Sequence, residues 1–459
     1  MDDFIDLVQQ SHPFFVRESL SAEIARAGQQ AEIGTQDWAL HSSSYFAYQK
    51  QPAVGLGAPD EISQIGTEIG VAKALWSTGG RLSLSWSTDY TDQDIPNIVI
   101  PFEPEDIVIP TGPATLYGNR LYLTYTQPLL QNYGGKLDRL AYELADYDVD
   151  FSRLQLKENQ EQFVLDLAER FIDWVLLSEQ RRIASDRLEL AQEQLRQTRK
   201  KRAANLVERV DVLRAEDAVR IVEQSVVLIE SQLKAKRAEL AVLSQIQELN
   251  VMEPEFDLDV RTALPSPDQA VSTLPQQSRI LKSLTVVHDQ LNLLTQGYAD
   301  KAKPQLFLTI GAGLRGTDDE LGTALETTDP DVLVSLDFRF PLGNQTARAD
   351  IAQTELAVRQ IEKEYEGASL DLEAGVRSLL ISIGEMDKVL ILNEEQIQSA
   401  QTKTHEEQRL YDQGRSDLTF VIQSQDGEAV AKLTYAENAA MYHKLLLQYQ
   451  ALMDELLAE

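Results

Sequence analysis

The stretch "VSLDFRFPLGNQTARADIAQTELA", residues 334–357, changes its periodicity partway through. Up to Phe340 apolar and polar side chains alternate, as in a β-strand with one apolar face, whereas after "PLGN" the composition becomes helical. Residues 119–145, "NRLYLTYTQPLLQNYGGKLDRLAYELA", repeat this change of period. The chain is therefore predicted to run twice from a strand, through a proline, into a long helix. The predicted junction residues are Pro128, Gly134, Gly135, Pro341 and Gly343.

The composition limits the kinds of partner that the chain can bind. Its net charge of −31, from 42 basic and 73 acidic residues, argues against a basic face for nucleic acid. Cysteine does not occur, which excludes disulfides and thiol chemistry. The sequence contains no apolar run of about 18 residues, the length of a transmembrane helix. The acidic start "MDDFIDLVQQ" does not resemble a secretory signal, so the chain is expected to be either cytosolic or numbered from a mature form.

A very long helical segment follows the first junction. Residues 136–252 contain neither glycine nor proline, which points to a coiled coil or a tube of helices. Within them a heptad seam is formed by Val212, Ala215, Val219, Val222, Val226, Ile229, Leu233, Leu240 and Leu243. A second apolar stripe runs beside it through Ala218, Ile221, Leu228, Ala235 and Val242. Because a helix with two apolar faces needs neighbours on both sides, we interpret it as part of the wall of a helical tube, with a plain coiled coil as the alternative.

The two halves of the sequence correspond and predict an internal repeat. Residues 1–252 form the first copy, with a helix, strands at about 38–127 and a helical hairpin at 136–252 whose tip lies near 205–214. Residues 270–459 form the second copy, with a helix, strands at about 305–341 and a hairpin at 345–457 whose tip lies near 411–420. The proline-rich residues 253–269 are the predicted linker between the copies.

The strands predict a sheet that is incomplete in one chain. Residues 305–315 and 332–340 each alternate over about 9–11 residues, the reach of a tilted strand across a bilayer. The first half offers four candidate strands and the second half two, and residues 91–118, before the last strand of the first half, are expected to form a long loop. Six strands cannot close a barrel around a pore, since about eight are needed merely to fill one with side chains. We therefore expect several copies to share a barrel, and the alternative is a soluble β-sandwich inserted into a coiled coil.

Taken together, these features resemble the TolC-like outer-membrane efflux proteins, the outer-membrane factors of tripartite export systems. The resemblance rests on the strand endings "TQPLLQNYGG" and "FPLGNQTARADIAQTELA", and on the hairpin tips "NLVERVDVLRAED" and "YDQGRSDLTFVIQSQDGE". It implies an α+β membrane protein, a homotrimer whose shared β-barrel lies in the outer membrane of a Gram-negative bacterium. The barrel would continue as an α-helical barrel through the periplasm, and the partners would be outer-membrane lipid, a periplasmic adaptor and an inner-membrane pump or ATPase. The family usually has 12 strands, whereas six per chain would give 18.

The same resemblance implies a gate at the hairpin tips, held shut by tyrosine, arginine and aspartate contacts. Asp211 and Tyr411 match the family's aspartate and tyrosine, while the arginine register falls on Ser416, one place after Arg415. Two positions that carry carboxylates in the best-known member are Phe420 and Gln423 here. Asp417 is a further candidate for an acidic ring; the alternatives are that Asp417 caps a helix and that Phe420 packs between helices. The candidate adaptor-docking residues are Asn205, Glu208, Arg209, Gly414 and Ser416.

An enzyme is not expected. The five histidines are scattered, and "GAGLRG" at 311–316 lies within an alternating strand rather than before a helix, unlike a dinucleotide-binding loop. No cofactor or metal is predicted. The predicted function is a passive, gated export duct, with a soluble coiled-coil scaffold carrying a β head as the alternative.

Overall fold

The computed structural model describes residues 1–52, 55, 58–112, 114–326 and 328–457. Within these ranges the chain forms long helices and long antiparallel strands. The helices are α1 Asp2–Ser11, α2 Pro13–Ile33, α3 Lys136–Ala203, α4 Arg209–Ser244, α5 Pro267–Gln277, α6 Arg279–Lys301, α7 Leu321–Ala324, α8 Gln345–Asp412 and α9 Leu418–Leu452. The strands are β1 Ala39–Lys50, β2 Glu61–Leu75, β3 Gly80–Asp94, β4 Ile98–Ile100, β5 Ile107–Ile109, β6 Ala114–Pro128, β7 Gln305–Asp318 and β8 Asp329–Arg339.

The chain divides into two compact units, each built from both halves of the sequence. The first contains residues 1–23, 151–285 and 363–459 and is helical; the second contains residues 24–150 and 286–362 and holds the strands. In the described part of the chain, no helix has a stretch that is both long and apolar enough to cross a membrane.

The main sheet lies in the second unit. Over the residues with a described structure it has six strands in the order β1-β2-β3-β6-β7-β8, and every neighbouring pair is antiparallel. Four of these strands precede residue 130 and two follow residue 300, the distribution expected from the alternating segments. In this order β1 and β8 are the two edge strands.

Residues 91–118 are not the long loop that the sequence suggested. Strand β3 continues to Asp94, β6 begins at Ala114, and a separate hairpin of β4 and β5 lies between them. The expectation was wrong because strands of three residues are too short to show a period, and the prolines at 96, 101, 104 and 110 made the segment look like a loop.

The first unit is organised around the four long hairpin helices. Its core includes Trp174 and Ile172 of α3, Leu390 of α8, Tyr442 of α9 and Leu281 of α6. Most of the heptad seam of α4 is buried, as at Ala215, Val219, Val222, Leu233 and Leu240. Leu233 and Leu240 belong to this core, Ala215 packs in a separate smaller cluster, and Leu243 is 38% exposed. The second stripe of α4 is exposed in the single chain, with 66% of Ile221 and 71% of Val242 accessible. The two apolar stripes of α4 thus have different environments.

The first helical hairpin ends earlier than the predicted residue 252. Helix α4 stops at Ser244, and Gln245 adopts a left-handed conformation with φ of 61°. The Ser244 hydroxyl accepts a hydrogen bond from the Ile246 amide at 3.3 Å, which helps to turn the chain away from the helix axis. The second hairpin likewise ends at Leu452 rather than at residue 457. Polar residues can end a helix without any glycine or proline, which is why composition misplaced these boundaries.

The linker is held against both hairpins. The Glu253 carboxylate forms ion pairs with Arg237 of α4 at 2.6 Å and with Arg181 of α3 at 3.2 Å. Arg261 lies 3.2 Å from both Asp387 and Glu394 of α8. The predicted range 253–269 is too long at its end, because α5 starts at Pro267 behind a Ser266 cap. The linker is therefore held in place by ion pairs with both helical hairpins.

Candidate functional site

The two hairpin tips in the first unit are built as the same turn. In the first tip Asn205 is left-handed, with φ of 57°, and the Leu206 amide donates to the Lys201 carbonyl at 2.9 Å. In the second tip Gly414 is left-handed, with φ of 70°, and the Arg415 amide donates to the Leu410 carbonyl at 2.9 Å. A left-handed residue followed by this bond is the Schellman ending of a helix. Asn205 and Gly414 are thus required by the backbone of the turns.

Each turn leads into a capped helix three residues later. The Glu208 amide donates to the Asp211 carboxylate at 3.0 Å, within a capping box that starts α4. Asp417 caps α9 by accepting a hydrogen bond from the Thr419 amide at 2.8 Å. The hydrogen bonds from Thr419, followed by the charge of Arg214, lower the pKa of Asp417. Asp417 therefore caps the helix, one of the two roles considered for it, while its place in a pore ring remains a prediction.

An arginine that the sequence did not single out links the two tips. Arg214 of α4 lies 3.2 Å from Asp211 on its own helix and 3.4 Å from Asp417 at the start of α9. These groups are partly exposed, so the link is a weak one. Arg214 and Asp417 are 203 residues apart in the sequence, and no short motif could have shown their contact.

Tyr411 is the buried member of the predicted gate. Only 6% of it is exposed, and it packs with Ala215, Leu418 and Val421. The Lys201 ammonium lies 3.9 Å from the centre of its ring and 3.1 Å from the Asp412 carboxylate. Within the described residues the Tyr411 hydroxyl has no hydrogen-bond partner. The ring and the Lys201 charge, rather than the hydroxyl, therefore define this contact.

The remaining predicted tip residues lie on the surface. Phe420 is 55% exposed. In the single chain it therefore does not pack between helices, which was the alternative to a role in the pore. Ser416 donates a hydrogen bond to Glu407 at 2.8 Å. Ser416 itself is half-buried, whereas Asn205, Glu208, Arg209, Arg415 and Gln423 are exposed like Phe420. The structure gathers all of these residues at the two tips, and their roles in gating and docking remain predictions.

A stronger ionic link lies farther along the hairpins. The Arg187 guanidinium of α3 donates twice to one oxygen of Asp426 on α9, at 2.9 and 2.8 Å. Only 5% of Arg187 is exposed, whereas 54% of the Asp426 side chain is, so loss of Asp426 would leave a buried guanidinium without its counter-charge. The two hairpins of one chain are thus joined well behind the tips as well as at them.

Three carboxylates of the first unit lie close enough together to suggest a metal site. In the described part of the chain this group is Glu158, Glu161 and Asp454, with oxygens within 4.8 Å of one another. The buried Arg279 guanidinium contacts all three and lies 3.1 Å from Asp454. Burial raises the pKa of Glu158 and of Asp454. Because arginine already supplies the compensating charge, we interpret the group as a structural ion network.

The strand-to-helix junctions of the second unit are tightly hydrogen-bonded. Gly134 and Gly135 are both left-handed, with φ of 71° and 69°, and the Gly134 amide donates to the Thr78 carbonyl of the β2–β3 turn at 3.2 Å. Arg139 at the start of α3 donates to the Trp76 carbonyl of the same turn at 2.8 Å. Pro128 ends β6, while Pro341 and the left-handed Gly343, with φ of 92°, lie between β8 and α8.

The main sheet has one predominantly apolar and one predominantly polar face, with Lys73 and the Lys50–Glu61 ion pair as charged groups on the apolar side. On the apolar face, cross-strand rows such as Val71–Leu84–Leu123–Ala312–Val332 run through neighbouring strands. A row containing Phe46, Ile65, Tyr90 and Tyr117 lies farther from the helix junctions on this face, with the two tyrosine rings 5.0 Å apart. The opposite face carries Glu68, Asp89, Arg315 and the ion pair of Arg120 with Asp331 at 2.7 Å. A sheet with these two faces suits a boundary between an apolar medium and water.

Solved structures of outer-membrane proteins have the same fold. VceC of Vibrio cholerae is 12% identical, with 99% of this chain and 95% of that chain covered and a TM-score of 0.67. The open state of MtrE of Neisseria gonorrhoeae is 14% identical, with 98% and 88% covered and a TM-score of 0.67. CmeC of Campylobacter jejuni is 12% identical, with 99% and 85% covered and a TM-score of 0.64. No protein-family model and no curated protein sequence matches the chain. At these identities the likeness shows the fold, and at that level the predicted TolC-like resemblance is confirmed.

Proposed function

We propose that this protein is a passive, gated export duct in the outer membrane of a Gram-negative bacterium. The observation that carries the proposal is the long antiparallel sheet with one apolar and one polar face. On the edge strand β8 the apolar face presents Val332, Val334, Leu336 and Phe338, each 64–72% exposed in the single chain. Contact with lipid would cover such a face, while the polar face would line a water-filled passage.

The sheet is completed by three copies of the chain. Because the six strands described for one chain alternate in direction, β1 and β8 run antiparallel to each other. The β8 strand of one copy can therefore pair with β1 of the next copy in an antiparallel ladder, which removes both edges. Three copies give a barrel of 18 strands, six more than is usual in the TolC-like family.

When three copies of the chain associate, their long helices form a tunnel in the periplasm. The exposed stripe of α4, with Ile221, Leu228, Ala235 and Val242, has a seven-residue spacing. Helix α8 carries a second exposed stripe, with Leu370, Ile381 and Leu392 at eleven-residue spacing. Residues eleven apart lie on one side of a helix, since three turns take about 11 residues. The proposed trimer places these stripes against neighbouring copies and so covers them.

The hairpin tips form the gate and the docking surface. The links of Arg214 with Asp417 and of Lys201 with Tyr411 hold the tips of one chain together, and Asp211, Arg415, Phe420 and Gln423 are the other proposed gate residues. Asn205, Glu208, Arg209, Gly414 and Ser416 would contact a periplasmic adaptor, through which an inner-membrane pump or ATPase supplies energy. This part of the proposal is supported by the fold shared with outer-membrane channels.

Size-exclusion chromatography with and without detergent, followed by conductance in planar bilayers, tests the proposal. We expect detergent-solubilised trimers that conduct ions. A water-soluble monomer or elongated dimer without conductance would instead support the soluble coiled-coil scaffold with a β head. A single low-resolution map of the trimer would test the strand number, and four barrel strands per chain would contradict the 18-stranded barrel.

A further inference from the structure

An apolar hairpin projects from the sheet at the end opposite the helix junctions. Strands β4 and β5 pair Ile98 with Ile109, Val99 with Val108 and Ile100 with Ile107. They do not join the main sheet in the described structure, and every residue from 101 to 110 is exposed. The hairpin follows β3 and precedes β6, the two central strands of the main sheet.

Both faces of this hairpin are apolar. Since side chains alternate along a strand, the four isoleucines at 98, 100, 107 and 109 share one face, and Val99 and Val108 lie on the other. A two-stranded ribbon alone is only marginally stable in water. The hairpin therefore needs apolar cover on two sides, which is unusual for a surface loop.

Lipid is poorly placed to supply this cover. The aromatic row that contains Tyr90 and Tyr117 is followed on β3 by the polar residues 91–94, which include Asp92 and Asp94. From Tyr90 to Ile98 the chain can advance by up to about 26 Å, at about 3.3 Å per residue. The hairpin turn carries Glu103, Glu105 and Asp106, which an anionic membrane surface would repel.

We propose that the hairpins of three copies pack against one another above the outer mouth of the barrel and form an apolar cap. The inference rests on the proposed trimer. In a threefold cluster each hairpin has two neighbours, so one apolar face can meet each of them. The acidic turns would remain in water, and cargo leaving the duct would have to separate the hairpins. The cap would thus be a second, outer gate distinct from the hairpin tips.

Cross-linking in the trimer tests this contact directly, because the natural chain has no cysteine to interfere. We expect Val99→Cys to yield linked dimers and trimers with a short bismaleimide. The matched control is Ser77→Cys, an exposed position in the turn at the other end of β3, which should remain unlinked. An intact trimer of Val99→Cys that gives no linked species, or in which a fluorophore attached to the introduced thiol is quenched by brominated lipid, would overturn the cap.

Conductance provides the second measurement. Replacing Pro96–Thr111 by a short glycine-serine linker should raise single-channel conductance severalfold while leaving the trimer intact. Unchanged conductance in the intact trimer would overturn a gating role. If the natural chain itself forms neither a trimer nor a channel, the proposed function fails, and this outcome is distinguishable from failure of the cap alone.

Discussion

The Arg214 guanidinium lies 3.4 Å from the Asp417 carboxylate, and this contact joins the start of α4 to the start of α9. Asp417 simultaneously caps α9, and Arg214 simultaneously contacts Asp211. A single arginine thus contacts a capping carboxylate at the start of each of the two helices that follow the tips. The proposed gate therefore depends on a residue shared between two capping arrangements.

We expect Arg214→Gln to increase the conductance of the channel by loosening the link between the tips. Exposed ion pairs are worth about 0.2–1 kcal/mol, so the open population should rise by no more than about fivefold per chain. The matched control is Arg220→Gln, because Arg220 pairs with Asp217 on its own helix. Equal currents for Arg214→Gln and the natural protein would remove Arg214 from the gate.

The two faces of the sheet can be tested with lysine substitutions at neighbouring positions of β8. Leu336→Lys places a charge on the apolar face and should destabilise the trimer by up to about 2–4 kcal/mol. Ser335→Lys places the same charge on the polar face and should be tolerated. The midpoint for thermal dissociation of detergent-solubilised trimers measures both effects. Similar midpoints for the two variants would contradict the assignment of the faces.

Two substitutions of Tyr411 distinguish the contribution of its hydroxyl from that of its ring. Tyr411→Phe keeps the ring beneath the Lys201 ammonium and should conduct like the natural protein. Tyr411→Ala removes a buried ring and should both raise conductance and lower stability by about 3 kcal/mol or more. Thermal unfolding and single-channel recordings measure the two effects, and a large gain in conductance for Tyr411→Phe would assign the contact to the hydroxyl instead.

Local patterns predicted those parts of the fold that local chemistry determines. The alternation before Pro128 and Pro341 predicted strands that the structure has, because one-sided burial imposes a period of two. The turn at Gly414 depends on a left-handed residue that composition reveals. The pairs Arg187–Asp426 and Arg214–Asp417 could not be predicted, since their members are 239 and 203 residues apart. The resemblance to the TolC-like proteins predicted a gate at the hairpin tips but pointed to neither Arg187 nor Arg214.

A substitution in the exposed stripe of α4 can test the association of copies without disturbing the folding of the single chain. Ile221 is exposed in the single chain, so Ile221→Asn should leave the unfolding of the monomer nearly unchanged. In the proposed trimer the same change buries a polar amide against a neighbour, and the trimer should dissociate at lower detergent or temperature. Glu223→Gln, also exposed on α4, is the control. If trimers of Ile221→Asn are as stable as those of the natural protein, this stripe does not form the interface.

The first turn of α9 should loosen in acid. Because the folded-state pKa of Asp417 is below its ordinary value of 3.8, its carboxylate contributes stability that is present above that value and lost as the pH falls through the lowered pKa. Asp417→Ala should therefore increase amide exchange in this turn at pH 7, by about fivefold for a cap worth about 1 kcal/mol. The difference from the natural protein should shrink below about pH 4 as Asp417 itself becomes protonated. Gln423→Asn, an exposed neutral substitution on the same helix, should show no such pH dependence, and a constant difference for Asp417→Ala down to about pH 2 would contradict the role of the charged cap.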